Sequence, residues 1–142
     1  ITDERMTRFM ITLEEAIELV WHAFSNMSGG EIYIKKIPSM NIVDIAKSVS
    51  ESATHKIIGI RPGEKIHEQM IGTEDALFTY EYDSYYKILP AIYDCFKNIE
   101  WIGDGKQVSE DFSYTSNNNI DWMKISDLKL WIQNHKTIIG KF

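Results

Sequence analysis

The chain has 142 residues, a net charge of −6 and one cysteine; 44% of its residues are hydrophobic and 25% charged. Those values suit one soluble globular region, residues 1–142, and the acid excess argues against nucleic acid, which needs a basic footprint. No apolar run approaches the ~20 residues that span a bilayer, and Cys95 alone forms neither an internal disulfide nor a thiolate metal cluster, so a reducing cytoplasm is the expected compartment.

The opening lacks the apolar core of a signal peptide, and its first residue is Ile1, so the sequence reads as a processed, excised or truncated piece. The clearest element runs from Thr12 to about Asn26. Leu13, Ala16, Ile17, Val20, Trp21 and Phe24 fall on one helical face. Thr12 and Glu15 form a capping box at its start, Glu14 and Glu15 suit the helix dipole, and Gly29-Gly30 ends it. Glu31 to Lys36 alternates as a short strand, broken by Pro38. Asn41 caps a second helix with Ile42, Ile45, Ala46 and Val49 on one face. Lys56 to Arg61 reads as a second strand, Pro62-Gly63 as a turn, and Ile66 to Ile71 as a short helix with Ile66 and Met70 inward.

Leu77 to Leu89 reads as a hairpin turning at Asp83-Ser84, with Tyr80, Tyr82, Tyr86 and Ile88 packing across strands. Residues 99–119 read as a long loop, and a last helix starts at a Ser126 cap with Leu128, Trp131 and Ile132 inward. The four tryptophans read as core or subunit-contact anchors. Helices alternating with strands point to an α/β or mixed α+β fold. Two strands before the hairpin are too few for a complete doubly wound sheet. His22, His55, His67 and His135 show no metal-ligand spacing, and no metal is assigned; His67 reads as a surface residue or a satisfied partner.

The most informative stretch is Ile60-Arg61-Pro62-Gly63-Glu64-Lys65. It sets a guanidinium and a carboxylate three residues apart across a Pro-Gly turn. An arginine fork matches phosphate oxygens two at a time, and a glutamate accepts from ribose hydroxyls. The competing reading is an exposed ion pair on a connection, which contributes little. Met6-Thr7-Arg8-Phe9 offers a second arginine before the first helix; there, an ordinary pre-helix turn competes with a ligand border. The chain holds only three arginines, Arg5, Arg8 and Arg61, and Arg5 reads as a solvated charge.

In order and spacing these segments resemble one family. They are Ile1-Thr2-Asp3, Arg5-Met6-Thr7-Arg8-Phe9, Ile11-Thr12-Leu13, Lys36-Ile37-Pro38-Ser39-Met40, Gly59 to Lys65 with His67-Glu68, Tyr85-Tyr86, Ile88-Leu89-Pro90, and Phe112-Ser113-Tyr114-Thr115-Ser116. Together they resemble the C-terminal portion of UDP-N-acetylglucosamine 4,6-dehydratases of the extended short-chain dehydrogenase/reductase class, which serve bacterial polysaccharide, flagellin-sugar and capsule pathways. The resemblance implies an incomplete Rossmann sheet with a small substrate-binding subdomain. It implies a UDP-sugar ligand contacted by Met6, Thr7, Arg8, Arg61 and Glu64, with Arg61 on phosphate or ribose and Glu64 on ribose hydroxyls. The complete enzyme of such a family oxidises C4 with bound NADP, eliminates water across C5 and C6, and returns the hydride to C6; some members invert C5.

The family's glycine-rich NADP loop and Tyr-x-x-x-Lys pair belong to the N-terminal portion, and neither has a counterpart in place here. Tyr93 and Lys97 satisfy the bare spacing but stand after the hairpin, where chance is the better reading. No catalytic residue and no cofactor are therefore expected of this chain alone. The expected partners are the N-terminal Rossmann portion or the complete enzyme, in a homo-oligomer. The rival reading is a truncated paralogue that acts as a non-catalytic oligomerisation or interaction module.

Overall fold

In the computed structural model, which describes residues 1–91 and 99–135, every strand pairing in three small sheets is antiparallel. The class is mixed α and β, as expected. The chain divides by its contacts into two units. The first comprises Ile1–Met10, Pro38–Glu68 and the chain from Ser116; the second comprises Ile11–Ile37 and Gln69–Thr115.

In the first unit, β1 (Thr7–Phe9) pairs with β3 (Ser39–Asn41), setting Arg8 opposite Met40. The ordinary pre-helix turn that competed with a ligand border for this segment is thus a strand. Asn41 ends β3 and caps α2 (Ile42–Val49), its side-chain oxygen accepting from the Val43 N–H at 2.8 Å; a short amide meets an orphan donor this way. Ser39 is fully buried and bonds both neighbours of Trp122, donating its N–H to Asp121 O and accepting from the Met123 N–H, each at 2.9 Å. α2 packs against α4 (Ile125–Asn134), which buries Leu128. Met6 and Met40 are the large buried side chains of β1's end and β3; thioethers fill such irregular gaps well.

Two expectations about this unit fail. Ser126 does not cap α4: Lys124 holds the cap position without a side-chain bond, and the Ser126 hydroxyl turns to the Asp127 carboxylate. Residues 56–61 form no strand. Among the described residues only Ile1 pairs with them, its amine donating to Lys56 O and its carbonyl accepting from the Ile58 N–H. One residue is not a ladder, and Gly59 at φ +83° interrupts the alternation in a region that only glycine enters freely.

In the second unit, α1 (Leu13–Asn26) forms with the expected capping box: Thr12 Oγ1 accepts from the Glu15 N–H, and the Glu15 carboxylate accepts from the Thr12 N–H at 2.9 Å. The apolar face of α1 is turned outward. Its half-buried positions are Glu15, Ala16, Leu19, His22 and Ala23, while Leu13, Ile17, Val20, Trp21 and Phe24 lie exposed. The His22 ring meets Tyr33 and Tyr85 at 5.8 and 4.7 Å, so the side facing the sheet is the less apolar one.

That sheet holds β2 (Ile32–Lys35), β5 (Thr79–Glu81), β6 (Tyr85–Ile88) and β7 (Lys106–Gln107) in the order β2-β6-β5-β7. The hairpin turns where expected, with the Tyr82 N–H donating to Tyr85 O and the two rings stacked at 4.5 Å. Tyr80, Tyr86, Ile88 and Leu89 are buried, and Trp101 and Ile102 of α3 (Ile99–Ile102) pack against Tyr80 and Leu89. Trp101 is thus a core anchor, whereas Trp21, Trp122 and Trp131 are at least 36% exposed.

A separate two-stranded sheet joins β4 (Gln69–Ile71) to β8 (Tyr114–Thr115). Here the expected helix over Ile66 to Ile71 gives way to a strand that exposes Met70 and fully buries Ile71. Adjacent residues on opposite faces mark a period of two, which so short an apolar run does not reveal. The expected loop over residues 99–119 likewise contains α3, β7 and β8. Tyr114 secures it: its buried hydroxyl accepts from the Ile37 N–H and donates to Ile37 O, both at 2.9 Å. Tyr93, Cys95 and Lys97 lie outside the described residues.

Tyr114→Phe would leave both buried backbone groups of Ile37 without that partner. It should lower stability by about 1–3 kcal/mol in denaturant unfolding. Thr12→Ala should cost about 1 kcal/mol by loss of the cap. Glu15 carries a pKa held low chiefly by the Thr12 N–H. Its contribution is therefore present above the ordinary glutamate range and fades as pH falls through the lowered value. A stability-versus-pH series should show a shallower acid limb for Glu15→Gln, which removes the titrating carboxylate.

Candidate functional site

Arg61 to Glu64 forms the tight turn that its sequence dictates. Pro62 presets the first corner, Gly63 takes φ +81° at the second, and the Glu64 N–H donates to Arg61 O at 3.1 Å. These are the marks of a type II turn. The Glu64 carboxylate reaches back across it, accepting from the Arg61 N–H at 3.1 Å and from the Thr2 hydroxyl at 3.0 Å. The Arg61 N–H bond is the main cause of a lowered Glu64 pKa, with the Thr2 bond and the charges of Arg61 and Arg8 adding to it. Glu64 is thus a fixed anion at neutral pH. The Arg61 side chain is exposed, and its guanidinium makes no hydrogen bond or ion pair among the described residues.

Arg8 is used differently. Its Nη1 donates to the carbonyls of Thr7 and Ile66 at 2.7 and 3.1 Å, and its Nη2 to Lys65 O at 3.3 Å and Met6 Sδ at 3.5 Å. Its Nε faces Glu68 Oε1 at 3.8 Å. Every nitrogen of the fork has a partner, so Arg8 ties β1 to the segment that follows the turn. Glu68 strengthens the tie by accepting from the Phe9 N–H at 2.7 Å. Ser116 adds a third strand to the knot. Its hydroxyl accepts from the Glu68 N–H at 2.9 Å, donates to Thr7 O at 3.1 Å, and lies 2.6 Å from the Thr7 hydroxyl.

The first unit holds an open cleft of about 400 Å³, with Arg8, Arg61, Glu64 and Thr2 among its lining residues. Ile42, Ile45 and Ala46 of α2 line it together with Met6 and Ile58. An apolar wall with a few convergent charges is the usual make-up of a small-molecule site.

Of the five residues named from sequence, Met6, Arg8, Arg61 and Glu64 line this cavity. Thr7 does not: it is 5% exposed, and its hydroxyl bonds His67 Nδ1 at 2.8 Å and Ser116. His67 is therefore a satisfied partner. Thr2, Ser116, Glu68 and the α2 wall were not identified as site residues. The helical spacing of Ile42, Ile45 and Ala46 signalled a buried face, but a core face and a ligand wall carry the same pattern. Among the described residues no cluster of His, Cys, Asp and Glu can hold a metal ion, and no helix is long and apolar enough to cross a membrane.

The chain is 48% identical over 140 residues to a Campylobacter jejuni protein named UDP-N-acetylglucosamine 4,6-dehydratase (inverting), covering 95% of this chain and 42% of that protein. It is 36% identical over 92 residues to a UDP-glucose 4-epimerase of Rickettsia akari, covering 62% and 27% of the two chains. An X-ray structure of Pen from Bacillus thuringiensis superposes with a TM-score of 0.74 at 26% identity, covering 96% of this chain and 39% of that one. The chain thus spans less than half the length of these relatives. The resemblance to a portion of the dehydratases of the extended short-chain dehydrogenase/reductase class holds. A family model described as polysaccharide biosynthesis protein matches residues 1–90, more than half of the chain, and the chain belongs to that family.

Proposed function

We propose that this chain is the sugar-nucleotide-binding portion of a UDP-N-acetylglucosamine 4,6-dehydratase of surface-polysaccharide biosynthesis, acting in the cytoplasm and inverting C5. One observation carries the reading. The guanidinium of Arg61, without a partner among the described residues, and the fixed carboxylate of Glu64 stand on one Pro-Gly turn at the edge of an apolar-walled cavity. In this reading Arg61 forks onto the diphosphate, and Glu64 accepts from the ribose hydroxyls through lone pairs that Thr2 and Arg61 leave open. Met6 and the α2 wall pack the uridine. Arg8 supplies positive charge and holds β1 and residues 65–66 in place, and Thr7 supports the site from behind through His67 and Ser116.

Such a portion contributes affinity and orientation to the reaction. The described residues do not fit a dinucleotide: α1, α2 and α4 open on Thr12, Asn41 and Lys124 rather than on a glycine loop. NADP is assigned to the remainder of the enzyme's length, and no step is derived through it. The second reading, a non-catalytic oligomerisation module that joins the complete enzyme, draws on the exposed apolar side of α1.

Calorimetric titration with UDP and UDP-N-acetylglucosamine separates the two. The proposal expects saturable binding. Arg61→Ala should weaken it tenfold to a hundredfold, about 1.5–3 kcal/mol for lost bonds to a charged group, with an unchanged melting temperature because this guanidinium holds nothing in the fold. Arg8→Ala should weaken binding and also lower the melting temperature. Absence of heat with either nucleotide would overturn the reading. Because the Glu64 pKa is lowered, its bonds to ribose persist as the solution is acidified through the ordinary glutamate range. Affinity should fall only below that range, and Glu64→Gln should bind more weakly at neutral pH and lose this acid limb.

A further inference from the structure

The second unit holds an open cleft of its own, where α1 packs on β2. Its volume is about 270 Å³, and Glu18, Leu19, His22, Lys35, Ser84 and Tyr85 line it. Glu18 and His22 stand one helical turn apart on α1. Lys35 ends β2 and lies opposite Tyr85 of β6, so the two side chains leave the same face of the sheet. Ser84 belongs to the hairpin turn, its carbonyl accepting from the Lys36 N–H at 3.0 Å.

The polar groups of this cleft are only partly used. Lys35 Nζ meets Glu18 Oε2 at 3.4 Å, a long contact between side chains 20 and 73% exposed. An ammonium has three donors and a carboxylate about four acceptor sites, so one such contact leaves most of both groups open. His22 Nε2 is buried without a hydrogen-bond partner among the described residues. So is the hydroxyl of Tyr33, two residues before Lys35 on the same face of β2. The His22 ring stands 5.8 Å from the Tyr33 ring and 4.7 Å from that of Tyr85. Buried polar atoms normally have partners, and an atom left without one destabilises a fold.

The same groups select a chemical class. Lys35 sits near two carboxylates, because its charge also acts on Glu15; the cleft therefore offers no net positive charge to an anion. A cation meets Lys35, and a zwitterion has to part the Glu18–Lys35 pair. Neighbouring hydroxyls face no such conflict, since each can donate to a carboxylate while accepting from an ammonium. Leu19 and the rings of His22 and Tyr85 supply an apolar surface for the C–H face of a compact ring. The volume is smaller than a drug-sized pocket, which restricts the occupant to about one ring. The geometry points to a carbohydrate site: this cleft binds a single neutral pyranose whose adjacent hydroxyls bridge Glu18 and Lys35, with another on His22 Nε2.

None of these residues serves the nucleotide reading, so the two stand or fall separately. The probes are methyl glucoside, methyl mannoside and methyl galactoside, each titrated into the chain carrying carbon-13 in its histidine and tyrosine rings. The His22 and Tyr85 signals should shift and saturate with at least one of them, at a Kd of roughly millimolar, the range open to so small a ligand. Adding UDP should leave those shifts in place. Glu18→Ala, at an exposed position, should weaken binding about tenfold and leave the fold intact. His22→Phe keeps a ring and removes the polar atom, so it should weaken binding about fivefold without lowering the melting temperature. Sodium phosphate and glycine serve as charged controls. The inference is overturned if no sugar shifts these rings, if phosphate or glycine binds there more tightly than any sugar, if UDP abolishes the sugar shifts, or if Glu18→Ala binds as well as the parent chain.

Discussion

The candidate site depends on how the Arg8 guanidinium is held. A fork that donates to the carbonyls of Thr7, Lys65 and Ile66 joins two segments almost sixty residues apart in the chain. Glu68 and Ser116 extend the joint to a third segment through the Phe9 N–H, the Glu68 N–H and the Thr7 carbonyl. Three short and individually weak pieces of chain thereby become one wall. A strand of three residues and a turn of four have little stability alone.

The two arginines of the cavity divide the work. Arg8 is satisfied within the protein and holds position; Arg61 is exposed, free of such bonds among the described residues, and available. Glu64 mediates between them. Fixed by the Arg61 N–H and the Thr2 hydroxyl, it stays ionised and draws positive charge toward the turn. Under the proposed function the exposed Arg61 guanidinium is the group that meets the anionic ligand, while much of the chain's net charge of −6 lies beyond a Debye length of ~8 Å and is screened.

The outward stripe of α1 and the inward wall of α2 show one sequence pattern in two roles. Both helices carry apolar residues at helical spacing. On α2 that face meets a cavity; on α1 it meets solvent. Burial of an apolar face is the expected fate of each, and a chain that spans 42% of a relative's length need not contain the surface that buries every one of its faces.

The sequence by itself determined what local chemistry controls. The Thr12–Glu15 capping box, the Asn41 cap, the Pro62-Gly63 turn and the Asp83-Ser84 hairpin each rest on contacts within a few residues, and each appears in the structure. So does the placement of Arg61 and Glu64 at the two ends of one turn, since a turn of four residues dictates their separation. Tertiary structure alone decided the rest. β4, β7 and β8 exist because distant segments pair with them, and residues 56–61 fail as a strand because only Ile1 does. Period and spacing identify the apolar face of α1 but not which way it points. That depends on which neighbours are present to cover it, a property of packing over long sequence distances that no local pattern records.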